Sequence, residues 1–422
     1  MSALVVTSIF AAVLVAALVV RFWLATRQMR FVAAHREAVP IAFAGTVTQD
    51  AHRRAADYTL AKNRLGLLAT AYAAAVLLGW TLLGGLDALN AAALAAVAPH
   101  WGTMAYQLAL LTAFACIGGV LELPFSVYST FVVEQRFGFN RTTVALFVAD
   151  LFKGLAVGAA IGLPLAALVL WLMGVAGNGW WLWAWGAWVA FNLGLMGLYP
   201  TVIAPLFNQF KPLADADLAE RVRALMQRCG FAAKGLFVMD GSRRSAHGNA
   251  YFTGLGAAKR VVFYDTLLSR LSPPEVEAVL AHELGHFSHR HVTKRLIAVF
   301  VVSFGALALL GWLSRLPAFY LGLGVAPNLH APNDALALLL FVLAVPEFGF
   351  FATPLVSLLS RRHEFEADRF ACRHADGRAL ARALLKLSED NASTLTPDPL
   401  YARFYYSHPP TAERLAALPA PA

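Results

Sequence analysis

Charge is scarce in this 422-residue chain: 14% of its residues are Asp, Glu, Lys or Arg, against 59% hydrophobic ones. A soluble globular chain carries about 25% charged residues, so the composition points to lipid as the solvent. Acidic or basic tails and low-complexity tracts are missing too. Cysteine is nearly absent. Cys116, Cys229 and Cys372 are far apart, with no CxxC spacing, which excludes a cysteine zinc site and argues against a disulfide framework; they read as small buried hydrophobes. The formal net charge of +9 is not gathered into a basic patch interleaved with aromatics, so nucleic acid is not an expected partner. No obligate protein partner is expected either.

What the chain does have is long apolar runs. Runs of about 20 residues read as membrane helices, and seven are expected, near 3–24, 65–85, 104–124, 154–173, 181–199, 296–314 and 335–358. The first lacks a basic leading segment and a small-residue cleavage site, so it reads as an anchor rather than a signal peptide. Basic residues set the orientation. With the N-terminus outside, every one of the 34 Lys and Arg except Arg315 falls on the cytoplasmic side. The connections 86–103 and 174–180 carry none. Trp171, Trp180, Trp181, Trp183, Trp185 and Trp188 cluster at the outer ends of spans four and five, as an interfacial belt does. The expectation is an integral, multi-pass protein with its C-terminus in the cytoplasm. It divides into residues 1–205 with five spans, a cytoplasmic region 206–295, spans six and seven in 296–358, and a charged cytoplasmic region 359–422 that is helical until Pro397. In 206–295 an amphipathic helix is expected over Asp215–Arg228, and short strands over Leu236–Met239, Ala250–Thr253 and Arg260–Tyr264.

The strongest local signal is His282-Glu283-Leu284-Gly285-His286. On a helix, positions i and i+4 share a face, so both imidazoles can take one zinc while Glu283 reaches its water. The pattern arises by chance in about 1% of chains of this composition, and its setting strengthens it. Ser272-Pro273-Pro274-Glu275 is a helix start, and Val276, Val279 and Leu280 supply an apolar face. A catalytic zinc needs a third protein ligand and an open position. The metzincin spacing would require a His where Val292 stands. His289 and His291, three and five residues past His286, point away from the pair and are expected in solvent or behind the ligands. Glu364-Phe365-Glu366-Ala367-Asp368 is the better source. Glu364 and Asp368 share a helix face while Glu366 points away; one acid would bind the metal and the other would orient a ligating His through its free ring nitrogen. Two spans separate this segment from His282, so both lie on one side. Glu283 would take the proton of the attacking water and return it to the leaving amine. His408, in Tyr405-Tyr406-Ser407-His408-Pro409-Pro410, is a candidate donor to the oxyanion, with a surface histidine as the alternative. The fold class expected is mainly α: a seven-helix membrane protein with a small α+β, zincin-like catalytic portion.

Several blocks in order, Thr130-Phe131-Val132-Val133-Glu134-Gln135-Arg136-Phe137-Gly138-Phe139-Asn140, Pro205-Leu206-Phe207-Asn208 with Pro212-Leu213, Ser245 through Phe252, HELGH, Ser360 through Asp368 and Tyr406 through Pro410, cover most of the chain. Together they resemble the type I CAAX prenyl proteases, polytopic zinc endopeptidases. The resemblance implies one Zn2+ per chain held by His282, His286 and Glu364, with Asp368 behind a ligand and His408 stabilising the transition state. It also implies a substrate-binding strand edge at Asn249, Ala250, Tyr251 and Phe252, and helices enclosing a water-filled chamber faced by Glu122, Asp150, Lys153, Asn192 and Glu347; for Asp150 and Lys153, mutual pairing is the alternative. The substrate implied is a peptide from a prenylated or otherwise membrane-associated chain. Short loops and an alanine-rich composition suggest a bacterial inner membrane. The competing readings are a membrane quality-control protease without prenyl specificity and a zinc-binding membrane protein without catalysis.

Overall fold

The computed structural model describes residues 2–231, 235–253 and 260–418. Its first half is helical: α1 (Ala3–His35), α2 (Gln49–Trp80), α3 (Gly85–Tyr128), α4 (Val144–Val175), α5 (Trp180–Leu198) and the single turn α6 (Ala204–Phe207). A mixed segment follows, with β1 (Phe210–Pro212), α7 (Ala216–Arg228), β2 (Gly235–Met239), β3 (Ala250–Thr253), β4 (Arg260–Tyr264), α8 (Asp265–Leu268) and α9 (Pro273–Ser288). The rest is helical again: α10 (His291–Leu313), α11 (Pro317–Gly322), α12 (Asp334–Gly349), α13 (Thr353–His374), α14 (Gly377–Asp390), α15 (Pro399–Tyr405) and α16 (Thr411–Ala417).

Among the described residues, 6 helical stretches are long and apolar enough to cross a membrane: Ala3–His35, Gly85–Glu134, Val144–Val175, Gly177–Phe207, His291–Leu313 and Asp334–His374. The expected span over 65–85 is the one that falls short. It lies on α2, whose first half carries Arg53, Arg54, Asp57, Lys62 and Arg64, and whose apolar half stops at Trp80. The expected connection 86–103 is no loop. It is the first part of α3, which kinks at Gly102 (φ 80°), and its Leu86 is buried in one apolar cluster with Phe319 and Leu336. Cys116 is exposed rather than buried.

Contacts sort the connections into two ends. At one, Thr7 Oγ1 donates to the Gly322 carbonyl at 2.7 Å, the Ala326 amide to Asp87 Oδ1 at 2.9 Å, and Arg315 Nη2 to the Asn178 carbonyl at 2.7 Å. At the other, Arg27 donates to both oxygens of Asp398 at 3.2 and 2.9 Å, and Asp398 also accepts the Leu400 and Tyr401 amides that open α15. That cap explains why the helical region does not stop at Pro397: α15 and α16 lie beyond it.

The 4-stranded sheet has the order β1-β2-β4-β3. β1, which the sequence pattern does not reveal, pairs antiparallel with β2; β2 and β4 run parallel, and β3 closes the far edge antiparallel to β4. Leu218, Val222, Leu225 and Met226 of α7 and Val276, Leu280 and Leu284 of α9 share a core with Val261 and Phe263 of β4, so the sheet backs the helix that carries HELGH.

Of the polar residues expected to face a chamber, Glu122 is exposed and the others have protein partners. Glu347 pairs with Arg21 at 3.0 Å. Asn192 Nδ2 donates to the Trp188 carbonyl at 2.8 Å and Lys153 Nζ to the Leu206 carbonyl at 3.0 Å. Asp150 does not pair with Lys153. It accepts two bonds from Arg244, at 2.8 and 3.0 Å, and the same guanidinium donates to Asn208 Oδ1 at 2.8 Å and the Phe207 carbonyl at 2.7 Å. This planar fork ties the start of α4 and the end of α6 to the mixed segment. Arg244→Ala should therefore lower stability by about 3 kcal/mol, and Arg244→Lys by nearly as much, because an ammonium cannot reproduce the fork. Thermal unfolding in detergent checks this; a lysine variant as stable as wild type refutes it.

Candidate metal centre

Two helices build the site. α9 opens at the expected helix start with a capping box, Ser272 N donating to Glu275 Oε2 at 2.8 Å, and Lys386 of α14 donates to the same carboxylate oxygen at 2.7 Å. With that end fixed, His282 and His286 sit one turn apart and face α13. α13 crosses at Gly285: a Cβ placed there would stand 2.8 Å from Ala367 Cα and 3.1 Å from its carbonyl oxygen. Glycine between the two histidines is what lets α13 come this close, one turn from Glu364.

His282 Nε2 lies 3.3 Å from Glu364 Oε2, His286 Nε2 lies 3.4 Å from Glu364 Oε1, and the two Nε2 atoms are 3.2 Å apart. A tetrahedral zinc with ligands at 2.0–2.1 Å needs ligand atoms about 3.3 Å apart. The three side chains already stand at that spacing. Their protonation points the same way. Asp368 Oδ1 is 2.8 Å from His282 Nδ1, so Nδ1 carries the hydrogen and Nε2 offers a lone pair to Glu364. Glu364 Oε2 is buried, with no hydrogen-bond partner of acceptable geometry. Lone pairs meeting this closely need a cation between them. Without a metal, the cation is a proton. Burial would neutralise His282, but hydrogen bonds to Asp368 and Glu364 override it and raise its pKa to about 9. Burial and that positive neighbour push His286 down to about 3. Against their own burial, the bonds to His282 hold Glu364 and Asp368 at about 2. One proton cannot serve two imidazoles and a carboxylate, whereas one divalent ion can.

Glu283 makes no hydrogen bond to a described residue, and burial raises its pKa. His408 sits across the site, its Nε2 3.4 Å from Glu364 Oε1, and Ser407 Oγ is 3.0 Å from its Nδ1. His289 and His291 lie outside the ligand triangle. Two arginines that sequence reasoning missed complete the surroundings. Arg414 of α16 donates twice to Asp368, at 2.6 and 2.8 Å. Arg361 Nη1 donates to the carbonyls of Ala402, Arg403 and Tyr406 at 3.2, 3.0 and 2.8 Å, fixing the turn that presents His408. Spacing could not reveal either, since the partners are more than 40 positions away. β3 lies on the sheet edge and packs on α9, with exposed Asn249 just before it and Ala250 and Tyr251 within it; of Phe252 the backbone alone is described. A cavity of about 980 Å³ lies next to His408 and Arg414, lined also by Tyr58, Lys62, Asn391 and Tyr405.

Residues 28–209 match the family described as CAAX prenyl protease N-terminal, five membrane helices, and residues 212–422 match peptidase family M48. The chain belongs to the CAAX prenyl protease family. CAAX prenyl protease 1 homolog of Arabidopsis thaliana is 39% identical over 303 residues, 71% of this chain and 70% of that protein. CAAX prenyl protease 1 of Saccharomyces cerevisiae is 36% identical over 328 residues, 75% and 72% of the two chains. The crystal structure of S. mikatae Ste24p is similar with a TM-score of 0.90 at 30% identity, covering 98% of this chain and 99% of that one. A polytopic membrane protease is therefore established, and its family is a metallopeptidase one.

The helix crossing yields a prediction. Gly285→Ala forces a Cβ against the Ala367 backbone, an overpacking worth about 1–3 kcal/mol, and separates Glu364 from the histidines. The variant should retain less than half the metal per chain that wild type does after desalting. Full metal content would show that α9 and α13 can part without loss.

Proposed function

We propose that this protein is an integral-membrane zinc metalloendopeptidase that processes prenylated or membrane-associated peptides. Its N-terminus lies outside, and its active site and C-terminus lie at the cytoplasmic face of a bacterial inner membrane. The observation that carries the catalytic reading is the convergence of His282, His286 and Glu364 at tetrahedral spacing beside an unengaged Glu283. A zinc ion held there supplies a Lewis acid and an acidified water.

The chain's own residues do the rest. Glu283, one position after His282, takes the proton of the attacking water on a carboxylate oxygen and hands it to the leaving amine; its raised pKa suits both transfers. Asp368, clamped by Arg414, keeps His282 in the tautomer whose Nε2 faces Glu364. His408, held by the Arg361-bound turn, donates to the oxygen that becomes negative as the carbonyl is attacked. The sheet edge formed by Asn249 and by Ala250, Tyr251 and Phe252 of β3 takes the substrate backbone as an added strand. The positive-inside distribution and the two-ended contacts support the orientation.

Purified wild-type protein is expected to hold about one zinc per chain and to cleave peptide in a chelator-sensitive way. Glu283→Gln should keep the zinc and cleave at least about 100-fold more slowly; equal cleavage by the two would overturn the catalytic assignment. His408→Ala should lower kcat by about 100-fold with zinc content unchanged. Comparing a prenylated peptide with its unprenylated counterpart by kcat/KM decides whether the lipid is read.

A further inference from the structure

His291 lies outside the ligand set and is buried, 4% exposed. Five residues past His286, it would lie about 140° round an unbroken helix and could not reach it. The helix is broken there. α9 ends at Ser288, Arg290 adopts a left-handed conformation (φ 56°), and α10 restarts at His291. That single left-handed residue turns His291 back behind the ligand, with His286 Nδ1 3.0 Å from His291 Nδ1. On its far side, His291 Nε2 is 2.8 Å from Glu366 Oε2. The His363 ring of α13 stacks on it at 3.9 Å and 14°, and the His289 ring lies at 5.5 Å and 18°. The imidazole is thus held in plane as well as at both nitrogens.

One tautomer satisfies every contact. If His286 presents its Nε2 lone pair to the metal, its Nδ1–H donates to His291 Nδ1, and His291 Nε2–H donates to Glu366. We propose that His291 is a positioning residue which, with Glu366, fixes the ring orientation and tautomer of His286. This relay is separate from the Asp368–Arg414 clamp on His282. The inference rests on His286 being a zinc ligand. A ligating histidine almost always donates its free N–H to such a partner, and His286 Nδ1 has no other among the described residues.

The test measures zinc affinity by chelator competition, together with the visible absorption of the cobalt-substituted protein, on the full-length chain in detergent. His291→Phe should bind zinc about 10–100-fold more weakly and shift the cobalt band. His291→Asn, whose Oδ1 takes the place of the Nδ1 acceptor, should stay much closer to wild type. Should His291→Phe fail to fold, half-exposed Glu366 gives the second route: Glu366→Leu should weaken zinc binding and shift the band, and Glu366→Gln should recover most of both. Wild-type affinity and an unshifted band in His291→Phe and Glu366→Leu overturn the proposal. So does an asparagine variant as impaired as the phenylalanine one. Failure of wild type to bind zinc, or retention of wild-type affinity by Glu364→Ala, would instead overturn the metal assignment beneath it.

Discussion

The contact on which this structure depends is the crossing of α9 and α13 at Gly285 and Ala367. Nothing local in the chain brings Glu364 near His282: two helical stretches long and apolar enough to cross a membrane run between them. The approach is set by the missing side chain at Gly285, which allows backbone-to-backbone contact where any other residue would hold the helices apart. Once the helices touch, Glu364 and Asp368 both meet His282, one at each ring nitrogen. The inter-ligand spacing then follows from helix geometry.

That crossing concentrates charge in a dry place. Buried ionised groups are costly unless paired and hydrogen-bonded, and here most have partners. Asp368 lies between His282 and the Arg414 fork. Glu275 is held by its own helix cap and by Lys386. Two carboxylates of the site are the exceptions: Glu364 has an oxygen without a well-placed donor that points at the histidines, and Glu283 makes no hydrogen bond to a described residue. The unsatisfied polarity of the site is thus confined to a ligand oxygen and to the carboxylate proposed to act on the water, so the surroundings hold the ligands in place without competing for them.

How much of this was legible in the sequence depends on how far apart the partners lie along the chain. The helix start at Ser272, the histidine pair, the acid pair on α13 and strands β2 to β4 are short-range patterns, and each lies where the local pattern puts it. The choice between Glu364 and Asp368 was not, because both share one helix face and the facing helix alone distinguishes them. Arg414 and Arg361 gave no signal, for their partners are remote and arginine is common in such segments. For His291 the sequence leaves solvent and a place behind the ligands both open; the left-handed residue at Arg290, which periodicity does not show, decides for the second. In the membrane half, apolar runs located the helices but not the ends of α2, nor the helical start of α3. Asp150 lacked its partner because Arg244 lies 94 residues further on.

The cavity beside His408 has a consequence of scale. Its volume of about 980 Å³ matches the upper range of pockets for small ligands, while a folded domain of 100 residues has a radius of gyration of about 13 Å. No folded domain enters such a space; an extended stretch of a few residues does. If substrate reaches the site through this cavity, its admission would turn on the physical state of the target chain before any side chain is read: a frayed terminus would fit, and the same sequence tucked into a fold would not.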